Sequence, residues 1–208
     1  HLHETFRYPL SDFLIPFADL ANRFGFRHIR ASITLNEENL QNWQKDKYLV
    51  INEELLNFDC LLVAAGCSNN KITHGENILV LQDFMKISGS DLLSSLLQKN
   101  NKPEQIISVV GGGATGIQFL FEIKQFLQRQ RIKGKLRLIH SRDRVLEKFP
   151  VSFSSYIHSC MNESNIDFYP DTRYCEQQAD KILLEEKHTK RQFELPSDHS
   201  ILFLGKEE

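Results

Sequence analysis

Ile106-Ile107-Ser108-Val109-Val110-Gly111-Gly112-Gly113-Ala114-Thr115-Gly116-Ile117 is the stretch whose reading decides the fold. It opens with an apolar, mostly β-branched run, the composition of a strand. Glycines follow at Gly111, Gly112, Gly113 and Gly116, and beyond them Ile117, Leu120, Phe121, Ile123 and Leu127 recur at helical spacing. The order is strand, tight glycine turn, helix. A helix that starts directly after such a turn aims unpaired N–H groups and the positive end of its dipole at the turn.

Each glycine has a physical task. Gly111 permits the sharp turn out of the strand. Gly113, without a Cβ, lets a phosphate approach the backbone, and Gly116 lets the helix pack closely on the sheet. This is the arrangement of a dinucleotide site, with the pyrophosphate on the helix N-terminus at Gly111, Gly112, Gly113, Ala114, Thr115 and Gly116. The competing reading is a glycine turn that serves helix–strand packing alone.

The end of the next strand is the second diagnostic place, because it meets the adenine ribose. It reads Ile139-His140-Ser141-Arg142-Asp143-Arg144. No acid stands at the strand end to accept from a ribose 2′-OH. His140, Ser141 and Arg142 offer donors instead, and Arg142 could meet a 2′-phosphate through charge-assisted hydrogen bonds. The reading therefore leans towards NADPH. Two alternatives stay open: Arg142 and Arg144 as solvated loop charges, and Asp143 turning inward to bind a diol.

The flanking sequence supplies the rest of an α/β fold. Phe13, Leu14, Phe17, Leu20, Ala21 and Phe24 share a helical face that Gly25 ends. Ile29, Ala31, Ile33 and Leu35 alternate with polar residues and predict a half-buried strand; residues 36–46 read as a polar connection, and 47–51 as a further strand. Phe58 to Gly66 is a near-continuous apolar run that predicts a strand buried on both faces. A helix is expected over 83–99, a helix stop at Gly134, a strand over 136–139, a helix over 154–163 and a strand over 166–169. Segments 173–176, 181–186 and 191–195, separated by polar turns, read as an antiparallel meander, and 201–205 as a last strand. The fold class expected is α/β: a Rossmann-like parallel sheet with helices on both faces and a small antiparallel β-meander.

The 208 residues are 41% hydrophobic and 25% charged, with net charge −2. That is globular composition without a basic block, so nucleic acid is not an expected partner. No apolar run is long enough to span a bilayer. Cys60, Cys67, Cys160 and Cys175 form neither a CxxC nor a zinc spacing, so no metal site is expected. They read as reduced thiols acting as small hydrophobes, with Cys60 and Cys67 in or beside the buried strand, which suits a cytoplasmic setting. No Ser-His-Asp or Cys-His arrangement can be argued from spacing, and no catalytic side chain is assigned.

The order of these pieces resembles the two-dinucleotide-binding flavoproteins, the pyridine nucleotide-disulfide oxidoreductases, and among them the type II NADH dehydrogenases. Phe58-Asp59-Cys60-Leu61-Leu62-Val63-Ala64-Ala65-Gly66-Cys67 looks like their "YDxLVxATGS" strand, and Gly111 to Gln118 like their "GGGxTGVE" loop. Asp143-Arg144-Val145-Leu146 with Phe149-Pro150 is similar to "xxRVLPxFP", and Phe6-Arg7-Tyr8-Pro9-Leu10 to "FxPLL". Gln118 stands where Glu is common, His140 where an acid is common, Ala65 for Thr and Cys67 for Ser. The resemblance implies an FAD domain into which an NAD(P)H domain is inserted. It adds Ala65, Gly66 and Gln118 to the cofactor-binding candidates. Residues 83–195 would be the NAD(P)H-binding domain; 1–82 and 196–208 would be partial FAD-domain segments, the last a return strand.

The implied activity is hydride transfer from nicotinamide to flavin, then to quinone or another acceptor, with the redox chemistry done by the flavin. The implied partners are the nicotinamide nucleotide, the remaining FAD-domain segments and the acceptor. The family's first GxGxxG has no counterpart in these residues, so the chain is expected to be a fragment that binds FAD poorly or not at all and is inactive by itself. The alternative setting for the whole protein is a peripheral place at the inner face of a membrane. The alternative function is a nucleotide-responsive module without turnover.

Overall fold

Contacts divide the chain, in a computed structural model, into two units, Leu14–Cys67 and His1–Phe13 with Ser68–Glu208. The structure describes residues 6–64, 75–100 and 102–204.

The larger unit is built on five parallel strands in the order β3-β10-β4-β5-β6: β3 (Ile78–Val80), β4 (Gln105–Val110), β5 (Gly134–Ile139), β6 (Asp167–Tyr169) and β10 (His199–Leu202). The sheet therefore takes strands from both sides of the 83–195 segment. Helix α3 (Gly89–Asn100) precedes β4, α4 (Ala114–Arg129) joins β4 to β5, and α5 (Val151–Glu163) joins β5 to β6. β7 (Thr172–Gln177), β8 (Lys181–Glu186) and β9 (Gln192–Pro196) form the expected antiparallel meander.

The parity of the strands decides the layers. Leu79, Ile107, Val109, Leu136, Leu138 and Ile201 point to one face, where they pack with Leu93, Leu120, Ile123, Ile157 and Met161 of the three helices. Their neighbours Val80, Val110, Ile139 and Leu202 point to the other face, against Ile182 and Leu184 of β8. The α/β class with a parallel sheet and a meander is as expected. The second face, for which helices were expected, carries the meander instead. Its polar residues explain the docking: Ser108 Oγ shares a 2.8 Å hydrogen bond with Ser197 Oγ, Ser200 Oγ donates to Gln177 Oε1 at 2.5 Å, and Arg137 donates to the Pro196 carbonyl. A buried hydroxyl or guanidinium left without partners would be costly, so these strands require polar acceptors opposite.

Element ends depart from expectation for local reasons. The 83–99 helix is interrupted: a 3-10 turn spans Asp83–Met85, and α3 starts afresh at Gly89. Ser88 caps it, its Oγ accepting from Asp91 N–H at 3.2 Å and donating to the Asp91 carboxylate at 2.6 Å. Gly134 does not stop α4. The helix ends at Arg129, Arg131 takes the left-handed conformation (φ 55°), and Gly134 opens β5. A Cβ there would lie 2.7 Å from Leu127 Cδ1, so the glycine serves strand–helix packing. Helix α5 starts at Val151, directly behind Pro150, whose fixed φ suits that position.

The Leu14–Cys67 unit holds α1 (Phe17–Phe24), α2 (Glu37–Asp46) and an antiparallel hairpin of β1 (Tyr48–Ile51) and β2 (Glu54–Asn57). Gly25 ends α1 as expected, with φ 68° and its N–H on the Ala21 carbonyl. Asn52 and Glu53 both have positive φ, as a two-residue hairpin turn requires. Three expectations fail here. Residues 29–35 are not a strand, because among the described residues no backbone pairs with them. The polar 36–46 segment is helix α2, capped by Asn36, whose side chain accepts from Asn39 N–H at 2.8 Å. Residues 58–64 are irregular rather than a buried strand; Phe58 is half-buried, residues 59–64 are exposed, Leu62 to 87%, and Cys60 is a surface thiol. Phe58 N–H reaches the Lys47 carbonyl at 2.9 Å, and beyond it no strand of the described residues pairs with the run, so its backbone and side chains stay open to solvent. Cys67 lies outside the described residues.

Candidate functional site

The glycine turn follows the carboxyl end of β4, which lies between β10 and β5, and ligands of open α/β sheets bind outside the carboxyl ends of the strands. Gly111 has φ 114°, and a Cβ there would fall 2.5 Å from the Phe203 carbonyl oxygen at the end of β10. Gly116 would place a Cβ 1.8 Å from the Gly111 carbonyl oxygen, so α4 can approach the turn only with glycine there. Gly112 would press a Cβ to within 2.7 Å of the His140 ring.

Gly113 is different. It is the N-cap of α4, at φ −77° and ψ 177°, a conformation open to any residue, and no atom lies within 4 Å of its would-be Cβ. Packing gives no reason for a glycine at this position, whereas a ligand over the helix N-terminus does. Beneath it the N–H groups of Ala114, Thr115 and Gly116 have no intrahelical acceptor.

A pocket of about 340 Å³ opens at this corner. Its floor at the helix end is Gly112, Gly113 and Ala114; the tip of β5 adds His140, Ser141 and Arg142. The far wall is the turn Leu146-Glu147-Lys148-Phe149, which sequence reasoning did not assign to the site. Its only signal was membership in the Asp143–Pro150 segment carrying the family resemblance. Six sequence candidates thus meet in one pocket, framed by Gly111 and Gly116. Thr115 and Gln118 are half-buried on α4 and do not line it. Ala65 and Gly66 lie outside the described residues.

The far wall is fastened to the glycine turn. Leu146 N–H donates to the Gly112 carbonyl at 2.8 Å, and Phe149 N–H to the Leu146 carbonyl at 2.8 Å. Leu146 itself is held at φ 53°, a left-handed conformation unfavourable for a leucine. Arg144 holds the wall from behind: its guanidinium donates to the carbonyls of Glu147 and Phe149 and to Ser154 Oγ, the last two at 3.1 and 3.0 Å. Arg144 is therefore a structural clamp, whereas Arg142 is exposed and lies 3.6 Å from Glu147 in the pocket wall.

His140 joins the two parts. Its Nδ1 accepts from Gly112 N–H at 3.1 Å, so the neutral ring carries its proton on Nε2. Burial is the main cause that pushes its pKa below the ordinary histidine value; Glu147 opposes the shift. His140 thus acts near neutrality as an uncharged prop for the glycine turn. Among the described residues no group of His, Cys, Asp and Glu could hold a metal ion, and no helix is long and apolar enough to cross a membrane.

The comparisons agree with this architecture. A family model described as pyridine nucleotide-disulphide oxidoreductase matches residues 19–207. No curated protein sequence matches significantly. Among solved structures, the sulfide:quinone oxidoreductase of the hyperthermophilic bacterium Aquifex aeolicus is similar at TM-score 0.65 and 16% identity, covering 90% of this chain and 44% of that one. NDH2 from Plasmodium falciparum, in complex with NADH, gives TM-score 0.59 and 18% identity over 79% of this chain and 39% of that one. Reduced CoADR-RHD from Bacillus anthracis gives 0.57 and 13%, over 98% and 35%. The chain spans less than half the length of each of these structures.

Proposed function

Because the chain belongs to the pyridine nucleotide-disulphide oxidoreductase family, we propose that it is the NAD(P)H-binding part of an FAD-dependent oxidoreductase. In the whole protein, hydride passes from the nicotinamide to the flavin, and the electrons go on to a quinone or another acceptor. The observation that carries the reading is the open space over Gly113 at the start of α4. The residues fit a dinucleotide. The pyrophosphate takes the unpaired N–H groups at Ala114 and Thr115 and the positive end of the helix dipole. Ser141 and Arg142 face the adenine ribose, and Leu146 and Phe149 supply an apolar wall for the base. Bound nucleotide supplies the hydride; the chain's own residues bind and orient it.

Calorimetric titration of NADH and NADPH into the 208-residue chain tests this. Saturable one-to-one binding is expected, with ADP competing and nicotinamide mononucleotide failing to compete, because this pocket takes the adenosine half. Absence of saturation into the millimolar range removes the proposal.

A further inference from the structure

The strand tip that lacks an acid in sequence has one in space. Glu147 is five residues beyond Arg142, yet the two line the same pocket, with Arg142 Nε 3.6 Å from Glu147 Oε2. The Leu146 N–H bond to Gly112 and the Arg144 bond to the Glu147 carbonyl fix the backbone that returns Glu147 to this place. The side chains are not fixed in the same way: Arg142 is 55% and Glu147 50% exposed. An ion pair so open to water contributes little and opens easily.

We propose that Arg142 and Glu147 form an exchangeable pair that lets one pocket accept both the 2′-hydroxyl of NADH and the 2′-phosphate of NADPH. The inference rests on the nucleotide reading above and adds the residue that sets the choice. With NADH the pair stays closed, and Glu147 accepts from the ribose hydroxyl, the task an acid at the strand end performs in dinucleotide folds. With NADPH the phosphate takes Arg142, and Glu147 swings to solvent, since like charges would repel. Lys148, in the same wall, adds a second cation for the phosphate. Two cations and one movable anion serve a neutral diol and a dianion by one side-chain rotation, without rebuilding the wall.

The test is the ratio of NADH to NADPH dissociation constants in the wild-type chain, Glu147→Gln and Arg142→Gln. Glu147→Gln keeps shape and Arg142→Gln shortens the side chain, both at exposed positions, and melting curves confirm folding. The wild type is expected to bind both nucleotides within about tenfold of each other. Glu147→Gln is expected to weaken NADH by about three- to tenfold, because the amide oxygen still accepts while the charge-assisted share of the bond is lost, and NADPH binds as well or better. Arg142→Gln is expected to shift the ratio the other way by about tenfold or more. Equal effects on both nucleotides in either variant, or a wild-type preference beyond about a hundredfold, overturn the exchange. If the wild type binds neither nucleotide, the site reading itself fails; if it binds both and the ratios do not move, only the exchange fails.

Discussion

Replacing Gly113 by alanine separates a ligand cradle from a packing turn. At φ −77° and ψ 177° the backbone accepts alanine, and the new methyl group meets nothing within 4 Å. Alanine is a poorer N-cap than glycine by roughly 0.5 kcal/mol. It also stiffens the unfolded chain, which returns about 0.4–1 kcal/mol. The two nearly cancel, so the melting temperature should stay within about 2 °C of wild type for a chain of this size. In the complex the same methyl stands where phosphate oxygens approach the N–H groups of Ala114 and Thr115. Loss of one charge-assisted hydrogen bond is worth about 1.5–3 kcal/mol, or roughly ten- to hundredfold in affinity. Gly116→Ala is the contrast, because its Cβ would fall 1.8 Å from the Gly111 carbonyl oxygen. That variant should be destabilised, with melting lowered by about 2–12 °C, since overpacking of this kind costs about 1–3 kcal/mol. Calorimetry with NADH and NADPH, paired with thermal melts, reads both quantities. Undiminished affinity in Gly113→Ala at wild-type stability would refute the pyrophosphate pose.

Acid should destabilise the fold through its buried histidines. Burial holds both His140 and His199 below the ordinary histidine pKa. The unfolded chain protonates them near pH ~6.5 and the folded chain only at lower pH. Their contribution is therefore whole above about pH 6.5 and is lost as pH falls from there towards the folded values. Urea midpoints should drop between pH 7.5 and 5.5; a flat or rising midpoint would contradict the burial argument. Arg144→Ala should release the Leu146–Phe149 turn, weakening NADH and NADPH equally by about three- to tenfold for the lost wall contacts. Arg144→Lys should recover little, because one ammonium cannot reach all three acceptors; full recovery would show that charge alone matters. Asp198→Ala should cost about 1–3 kcal/mol in denaturant unfolding, because buried Asp198 accepts from Ile106 N–H at 2.8 Å and pairs with Lys102. An unchanged midpoint would show that water replaces it.

What could be read in the sequence was what depends on neighbours along the chain. The β4–glycine–α4 unit is decided within residues 106–127, and the structure forms it there, with β5 and the meander also close to their expected places. Misreadings arose where tertiary partners decide. Residues 29–35 alternate and 58–64 are apolar, yet a strand needs a pairing partner, and no strand of the described residues pairs with either segment. The meander covers the face expected to carry helices because Ser108, Arg137 and Ser200 need polar partners, a demand that periodicity does not express. In the site, the helix-end and strand-tip candidates were legible from spacing. Glu147, Lys148 and Phe149 were not, because the Leu146–Gly112 backbone bond that folds them into the pocket has no sequence signature.

A crystal structure of this chain grown with NADPH tests the central claim most directly. The account predicts pyrophosphate density within hydrogen-bond distance of the Ala114 and Thr115 N–H groups, directly over Gly113, with the adenosine 2′-phosphate at Arg142. Nucleotide density elsewhere, or a corner over Gly113 that stays filled by solvent at saturating nucleotide, would contradict it.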